Sequence, residues 1–165
     1  MIISKKMEKA LNSQVNAELF SAYLYLSMSA DFESKSLTGF AKWLKVQAKE
    51  EVEHAMKIYN YILERGGKVE LEKIEKPKIE WQSPLEAFND AYEHEKKVTS
   101  LIYGLVELAQ AEKDYATNEM LQWFVKEQVE EEAQTQLIVE HLKMAGDSKN
   151  GIMMIDHRLS KREGD

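Results

Sequence analysis

Leu44-Lys45-Val46-Gln47-Ala48-Lys49-Glu50-Glu51-Val52-Glu53-His54-Ala55-Met56-Lys57-Ile58 is the stretch that decides how this chain folds. At helical spacing its inward positions are Leu44, Gln47, Glu51, His54 with Ala55, and Ile58. That is an apolar stripe interrupted at its middle by an acid and an imidazole. Three other segments repeat the pattern. They read Leu11, Val15, Glu18, Ala22, Tyr25; then Phe88, Tyr92, Glu95, Val98, Ile102; then Leu121, Phe124, Gln128, Glu131, Ile138. The residues seven positions to either side of each glutamate are apolar: Leu11 and Tyr25, Leu44 and Ile58, Phe88 and Ile102, Phe124 and Ile138. All four glutamates are therefore expected to point inward.

Working outward from these stripes gives the architecture. Only two prolines and seven glycines occur in 165 residues, which favours long uninterrupted helices. The first is expected over about Ser4 to Phe32 and the second over about Ser36 to Arg65, stopped by Gly66-Gly67. Residues 67–82, with Pro77, read as a linker. Ser83-Pro84-Leu85-Glu86 is a helix start, with a serine cap, proline at the first helical position and glutamate three after the cap. The third helix then runs to about Glu112 and the fourth from Tyr115 to Met144. Asp147 or Ser148 is placed to cap a short fifth helix, ending before the polar tail Lys161–Asp165. Short links between helices one and two, and three and four, make antiparallel hairpins, and the long linker spans the bundle lengthwise. The expected fold is all-α: a four-helix bundle with a long crossover between helices two and three and a short C-terminal fifth helix. Residues 1–165 are expected to form one domain, with the bundle over about 4–146 and the last helix over about 148–161. The apolar fifth segment, Ile152–Leu159, is expected either to pack on its own bundle or to lie at a subunit contact.

Composition narrows the function. Apolar residues make up 44% and charged residues 31%, as in soluble globular domains. Without cysteine there are no disulfides, thiolate metal sites, iron–sulfur clusters or cysteine nucleophiles. Met1-Ile2-Ile3-Ser4-Lys5-Lys6 does not read as a signal peptide, and no apolar run reaches the roughly 20 residues of a membrane span, so a cytoplasmic protein with no membrane partner is expected. A net charge of −7 argues against a nucleic-acid partner and suits a chain that attracts cations.

Four inward carboxylates need compensation, because an isolated ionised carboxylate in an apolar interior is very costly. No Arg or Lys accompanies them on the stripes. Protonation would account for one such residue but not for four at one level. Two divalent cations balance four carboxylates, and oxygen ligands with imidazole suit iron or manganese. Glu51 and His54, three apart on one helix face, reach a common ion, and Gln128 and Glu131 share that spacing. Glu51 follows Glu18 by 33 residues and Glu131 follows Glu95 by 36, so each hairpin brings its two acids to a similar height.

These residues carry a resemblance spanning nearly the whole chain. Asn16-Ala17-Glu18-Leu19-Phe20-Ser21-Ala22-Tyr23-Leu24-Tyr25, Glu50-Glu51-Val52-Glu53-His54-Ala55, Tyr92-Glu93-His94-Glu95 and Leu121-Gln122-Trp123-Phe124, running into Glu127–Glu132, resemble the prokaryotic non-haem ferritins. The resemblance implies a ferritin-like bundle, a shell of twenty-four subunits and iron storage with ferroxidase activity: two Fe(II) ions are oxidised by O2 at an in-bundle di-iron centre, and ferric product passes to mineral in the hollow of the shell. It also implies the site. Glu18, Glu51 and His54 match the first iron position, with Glu51 bridging, and Glu95 and Glu131 match the second, with Gln128 beside it. Glu50, Glu127 and Glu130, sharing Glu131, match a third iron position. Tyr25 matches a tyrosine close to the iron pair and Trp123 a neighbouring tryptophan. Val52 stands where bacterioferritins carry a haem-ligating methionine, so no haem is expected, and Gln128 replaces a histidine ligand, so the second iron should be held more weakly.

Read from the residues alone, Glu50, Glu127, Glu130 and Glu132 form an acidic run of the kind that usually makes a solvated helix face. Glu53, His94 and His141 read as surface residues. A di-iron peroxidase of the rubrerythrin kind is disfavoured by the absence of cysteine, a DNA-coating mini-ferritin by the in-bundle acids, and a metal-free adaptor bundle by the four inward carboxylates.

Overall fold

The structure, a computed structural model, describes residues 2–164; Asp165 of the expected polar tail lies outside the described residues. It is all-α: α1 (Lys5–Ser34), α2 (Thr38–Glu64), α3 (Pro84–Ala111), α4 (Tyr115–Ala145) and α5 (Lys149–Leu159), with no strand among the described residues. The starts follow side-chain caps. Ser4, Ser83, Asp114 and Ser148 accept from the backbone N–H three residues on, satisfying donors that the first helical turn leaves free. Ser148, and not Asp147, caps α5. The second helix begins at Thr38, two residues later than the sequence suggests, because Ser36 takes a left-handed turn conformation (φ 62°). At the other end of α2, the N–H groups of Gly66 and Gly67 fall back on the carbonyls of Leu63 and Ile62, with Gly66 left-handed (φ 71°).

Two apolar cores fix the directions of the helices. In one, Met28 and Phe32 of α1 pack with Phe40, Trp43 and Leu44 of α2, Phe88 of α3 and Ile138 and Leu142 of α4. In the other, Met7 and Leu11 of α1 pack with Ile58 and Ile62 of α2, Ile102 and Leu105 of α3 and Leu121 and Phe124 of α4. The end of α1 thus meets the start of α2, and the starts of α2 and α3 meet each other. So α1 and α2 are antiparallel, α2 and α3 parallel, and α3 and α4 antiparallel. Glu18, Gln47, Glu51, His54, Glu95, Gln128 and Glu131, all buried, lie in the sequence between these two cores.

Residues 65–83 return the chain along α1. Polar side chains of that helix hold the strap by its backbone: Asn12 bonds Lys68 O (2.9 Å) and Glu70 N (2.9 Å), Asn16 bonds Glu72 O (3.2 Å), and Ser27 bonds Lys78 O (2.6 Å). Contacts ordered from Asn12 to Ser27 show that the strap runs parallel to α1, the lengthwise crossing expected from its length. These bonds also give backbone partners to a strap without regular structure.

The fifth helix turns Ile155 and Leu159 into the first core, while Met153 and Met154 on its other side are exposed. Its docking rests on Asp156. No side chain of α2 caps that helix, and Asp156 accepts from Phe40 N (3.0 Å) instead. Gly39 makes this approach possible, since a Cβ there would lie 1.8 Å from Asp156 O. Asp156→Ala should lower stability by about 1–2 kcal/mol, the scale of a lost cap, and speed amide exchange in residues 149–159. Gly39→Ala should displace α5 altogether, read in the same exchange measurement.

Candidate metal centre

Between the two cores the four long helices turn their polar residues onto one another. Glu18 from α1 meets Glu51 and His54 from α2, with one ligand atom from each within 4.8 Å of the others; Glu51, Glu95 and Glu131 form a second such group. Glu51 is common to both. The groups draw on α1 and α2, and on α2, α3 and α4, so the centre exists only when the two hairpins are packed. A third group, His54, Glu127 and Glu131, lies toward the outside.

Amides and a phenol hold these acids in place. Gln14 donates to Glu18 (3.0 Å), one helical turn away. Gln47 donates to Glu51 (3.2 Å) and to Glu131 (2.6 Å). Gln128 donates to Glu95 Oε2 (3.1 Å), and the Tyr25 hydroxyl donates to the other Glu95 oxygen. His54 Nδ1 lies 3.2 Å from Glu51 Oε2 and its Nε2 lies 3.8 Å from Glu127 Oε1. Among the described residues one buried side-chain atom accepts no hydrogen bond: Glu18 Oε2, which can bond Glu51 only when Glu18 carries a proton. Buried polar atoms are nearly always satisfied, so an ionised Glu18 beside a carboxylate and an imidazole fits a cation.

Burial governs the protonation of the group. It raises Glu18 well above the usual carboxylate range, with the Glu51 charge adding to it. It does the same to Glu51, helped by the charges of Glu95 and Glu131, and it raises Glu95 against the lowering effect of the Tyr25 and Gln128 hydrogen bonds. Glu131 is pushed up to about 8 by burial and then by the Glu95 charge. Burial also raises the Tyr25 hydroxyl, which stays protonated and able to donate. Without ions, then, protons are drawn into this cluster, so protonation, not expected for four acids at one level, does reduce their charge because burial acts on all of them; cations would displace the protons.

Of the residues singled out from the sequence, Glu18, Glu51, His54, Glu95, Gln128, Glu131 and Tyr25 converge. Gln128 presents its amide nitrogen to Glu95, so ligating an ion would require its oxygen to turn inward. Trp123 stands edge-on to His54 (5.4 Å between ring centres) with the Lys57 ammonium 3.9 Å from its ring centre. Glu127 faces His54, whereas Glu130 is exposed and Glu50 is engaged by Arg162 (2.9 Å). Two expectations need correction. His94 is half-buried between α1 and α3, its Nε2 2.7 Å from Ser21 Oγ, and burial pushes it down to about 4. His141 is half-buried under α5, where Nδ1 accepts from Arg158 (2.7 Å). Both are polar residues on helix faces that other elements cover, α1 for His94 and α5 for His141. Sequence reading missed Gln14 and Arg162: Gln14 sits four residues before Glu18, a spacing that signals contact, but Arg162 gives no local signal.

Comparisons with known proteins bear on the fold and the family. The family model for the ferritin-like domain matches residues 8–145. This chain belongs to the ferritin family. A bacterial non-heme ferritin from Bacteroides fragilis is 47% identical over 161 residues, covering 98% of this chain and all of the relative, and one from Staphylococcus aureus is 42% identical over 164 residues, covering 99% of each. Among solved structures, an open pore ferritin from the hyperthermophilic archaeon Archaeoglobus fulgidus superposes with a TM-score of 0.97 at 53% identity, covering 98% of this chain and 99% of the other.

The raised carboxyls make this ferritin's metal-free stability depend on pH. Glu131 keeps its proton in the folded chain up to about 8, while in the unfolded chain it loses it near its ordinary 4.5. The stabilisation is complete below the lower value and lost as pH rises through the upper one. Metal-free protein should therefore resist urea better at pH 5 than at pH 8, and Glu131→Gln should flatten that slope. Divalent cations added near neutral pH should release protons, detectable with an indicator dye.

Proposed function

We propose that this chain stores iron and oxidises it with O2 at the centre between the two apolar cores. Fe(II) is the substrate. Glu18, Glu51 and His54 would hold one ion and Glu51, Glu95 and Glu131 the other, with Gln128 beside the second. The observation that carries the reading is the unpartnered Glu18 oxygen, buried beside Glu51 and His54. Four oxygen donors and one imidazole suit iron, and their negative charge favours the ferric over the ferrous state. Two Fe(II) supply two electrons; O2 takes them up with two protons, leaving two Fe(III) and hydrogen peroxide. The hydroxyl of Tyr25, hydrogen-bonded to Glu95, fixes that carboxylate where the second ion sits.

A route to the centre is available. An opening of about 340 Å³, lined by Glu50, Glu53, His54, Lys57, Trp123 and Glu127, leads from the surface to His54. Its acids would draw in a divalent cation, and Glu127, half-exposed and facing His54, would pass it inward or hold a third ion with Glu50 and Glu130. Ferric product would collect as mineral inside a shell of twenty-four subunits in the cytoplasm; membership of the ferritin family supports a homo-oligomer, and the subunit number and location are part of the proposal. Val52, half-exposed on α2, offers no axial ligand, and no haem is proposed.

Fe(II) oxidation followed by stopped-flow absorbance tests the site. Glu51→Ala removes the acid common to both ion positions and should slow the fast phase by at least about 100-fold, more than the loss usual for a residue that only supports a ligand; an unchanged rate would rule out the assignment. Gel filtration tests storage: the protein should elute as a shell of several hundred kilodaltons, and a monomer or dimer would sink the storage reading.

A further inference from the structure

The last described turn of the chain reaches the metal centre. After α5, the N–H groups of Lys161 and Arg162 bond the carbonyls of Arg158 and Leu159, continuing the coil and laying Arg162 across α2. Its guanidinium lies 4.3 Å from the centre of the Trp43 ring and donates to Trp43 O (3.1 Å), to Glu50 Oε2 (2.9 Å) and to Gln47 Oε1 (2.9 Å). Gly164 closes the contact, packed so tightly on Val46 that a Cβ there would come within 2.6 Å. Lys161 and Glu163 of this polar tail are exposed, but Arg162 and Gly164 make it a clasp on α2.

Gln47 is the residue through which the clasp acts. It is fully buried (0% exposed), and its amide can be turned either way in the same space. Turned as it is, its N–H2 bonds both Glu51 and Glu131; turned over, it would set a carbonyl oxygen against two carboxylates. The two acids favour the first orientation when charged, and the group on the far side holds it even when burial has put protons on them. Arg162 is a pure donor, and it accepts no alternative but the amide oxygen. Gln47 is thereby fixed, and with it the acid common to both ion groups and the acid that α4 contributes.

We propose that Arg162 is a positioning residue for the metal centre: the C-terminal clasp locks the Gln47 amide, which sets Glu51 and Glu131 for the second ion. This rests on the metal-binding reading above. It makes the occupancy of the second ion position depend on a residue in the chain's last few, beyond the matched family segment 8–145. The same guanidinium engages one oxygen of Glu50 in the acidic opening, so Glu50 would meet a third cation there through its other oxygen.

The test uses the assembled, full-length protein and anaerobic Co(II), whose visible ligand-field band reports its ligands. Wild type should take up two Co(II) per subunit with the band of an oxygen- and nitrogen-ligated ion; failure to do so would overturn the metal reading and the clasp together. Arg162→Ala should leave assembly intact and weaken the second Co(II), which loses support at both Glu51 and Glu131, by about 10-fold or more, as loss of an outer support for metal ligands commonly does, with an altered band; the first, which shares only Glu51, should weaken less. Lys161→Ala, on the same arm, should match wild type. In a Gln47→Met background, Arg162→Ala should have no further effect on the second ion, since the two act as one unit. Wild-type affinity and spectrum for both ions in Arg162→Ala, or fully additive losses in the double variant, would overturn the proposal while leaving the metal reading standing.

Discussion

Everything in this structure answers to the cost of placing four carboxylates at one level inside a helical bundle. Left charged and alone, each would be prohibitive in an apolar interior, on the order of tens of kcal/mol by simple solvation arguments. Three devices reduce the cost in the metal-free chain. Amides from Gln14, Gln47 and Gln128 and the hydroxyl of Tyr25 donate into the cluster. Burial draws protons onto the acids. The two apolar cores on either side supply the packing that holds the helices together despite the polar layer between them. With Glu18 ionised, none of the donors reaches its Oε2. The cluster is stable enough to fold and still incomplete, as a site for incoming cations must be.

That constraint is also why so much was readable from the sequence. An acid with apolar neighbours seven residues away on both sides has one physical reading in a long helix, and four such acids imply four helices meeting at a common height. The caps at Ser83 and Ser148 and the stop at Gly66-Gly67 are local chemistry and are legible for the same reason. Ser36 was not, because a serine in a left-handed turn looks like a serine beginning a helix. His94 and His141 misled because their helix faces look polar; Ser21 covers one and α5 the other. The least legible residue was Arg162. Its partners Trp43, Gln47 and Glu50 lie more than a hundred positions earlier, and nothing in a short polar tail signals which distant helix it will meet.

The C-terminal arm gives α2 an unusual dependence on the far end of the chain. Asp156 caps its first turn, Gly39 makes room for that approach, and Arg162 grips its middle beside the metal centre. The helix that carries Glu51 and His54 is thus completed by residues with no place in the four-helix bundle. Membership of the ferritin family follows from the bundle; the proposed setting of Glu51 and Glu131 draws as well on what lies after it.

Anomalous scattering at the iron edge, from crystals soaked anaerobically in Fe(II), tests the central claim most directly. Two peaks are expected in each subunit, one bounded by Glu18, Glu51 and His54 and the other by Glu51, Glu95 and Glu131. Iron found only elsewhere, with no peak among these residues and Glu18 Oε2 still without a partner, would contradict the account.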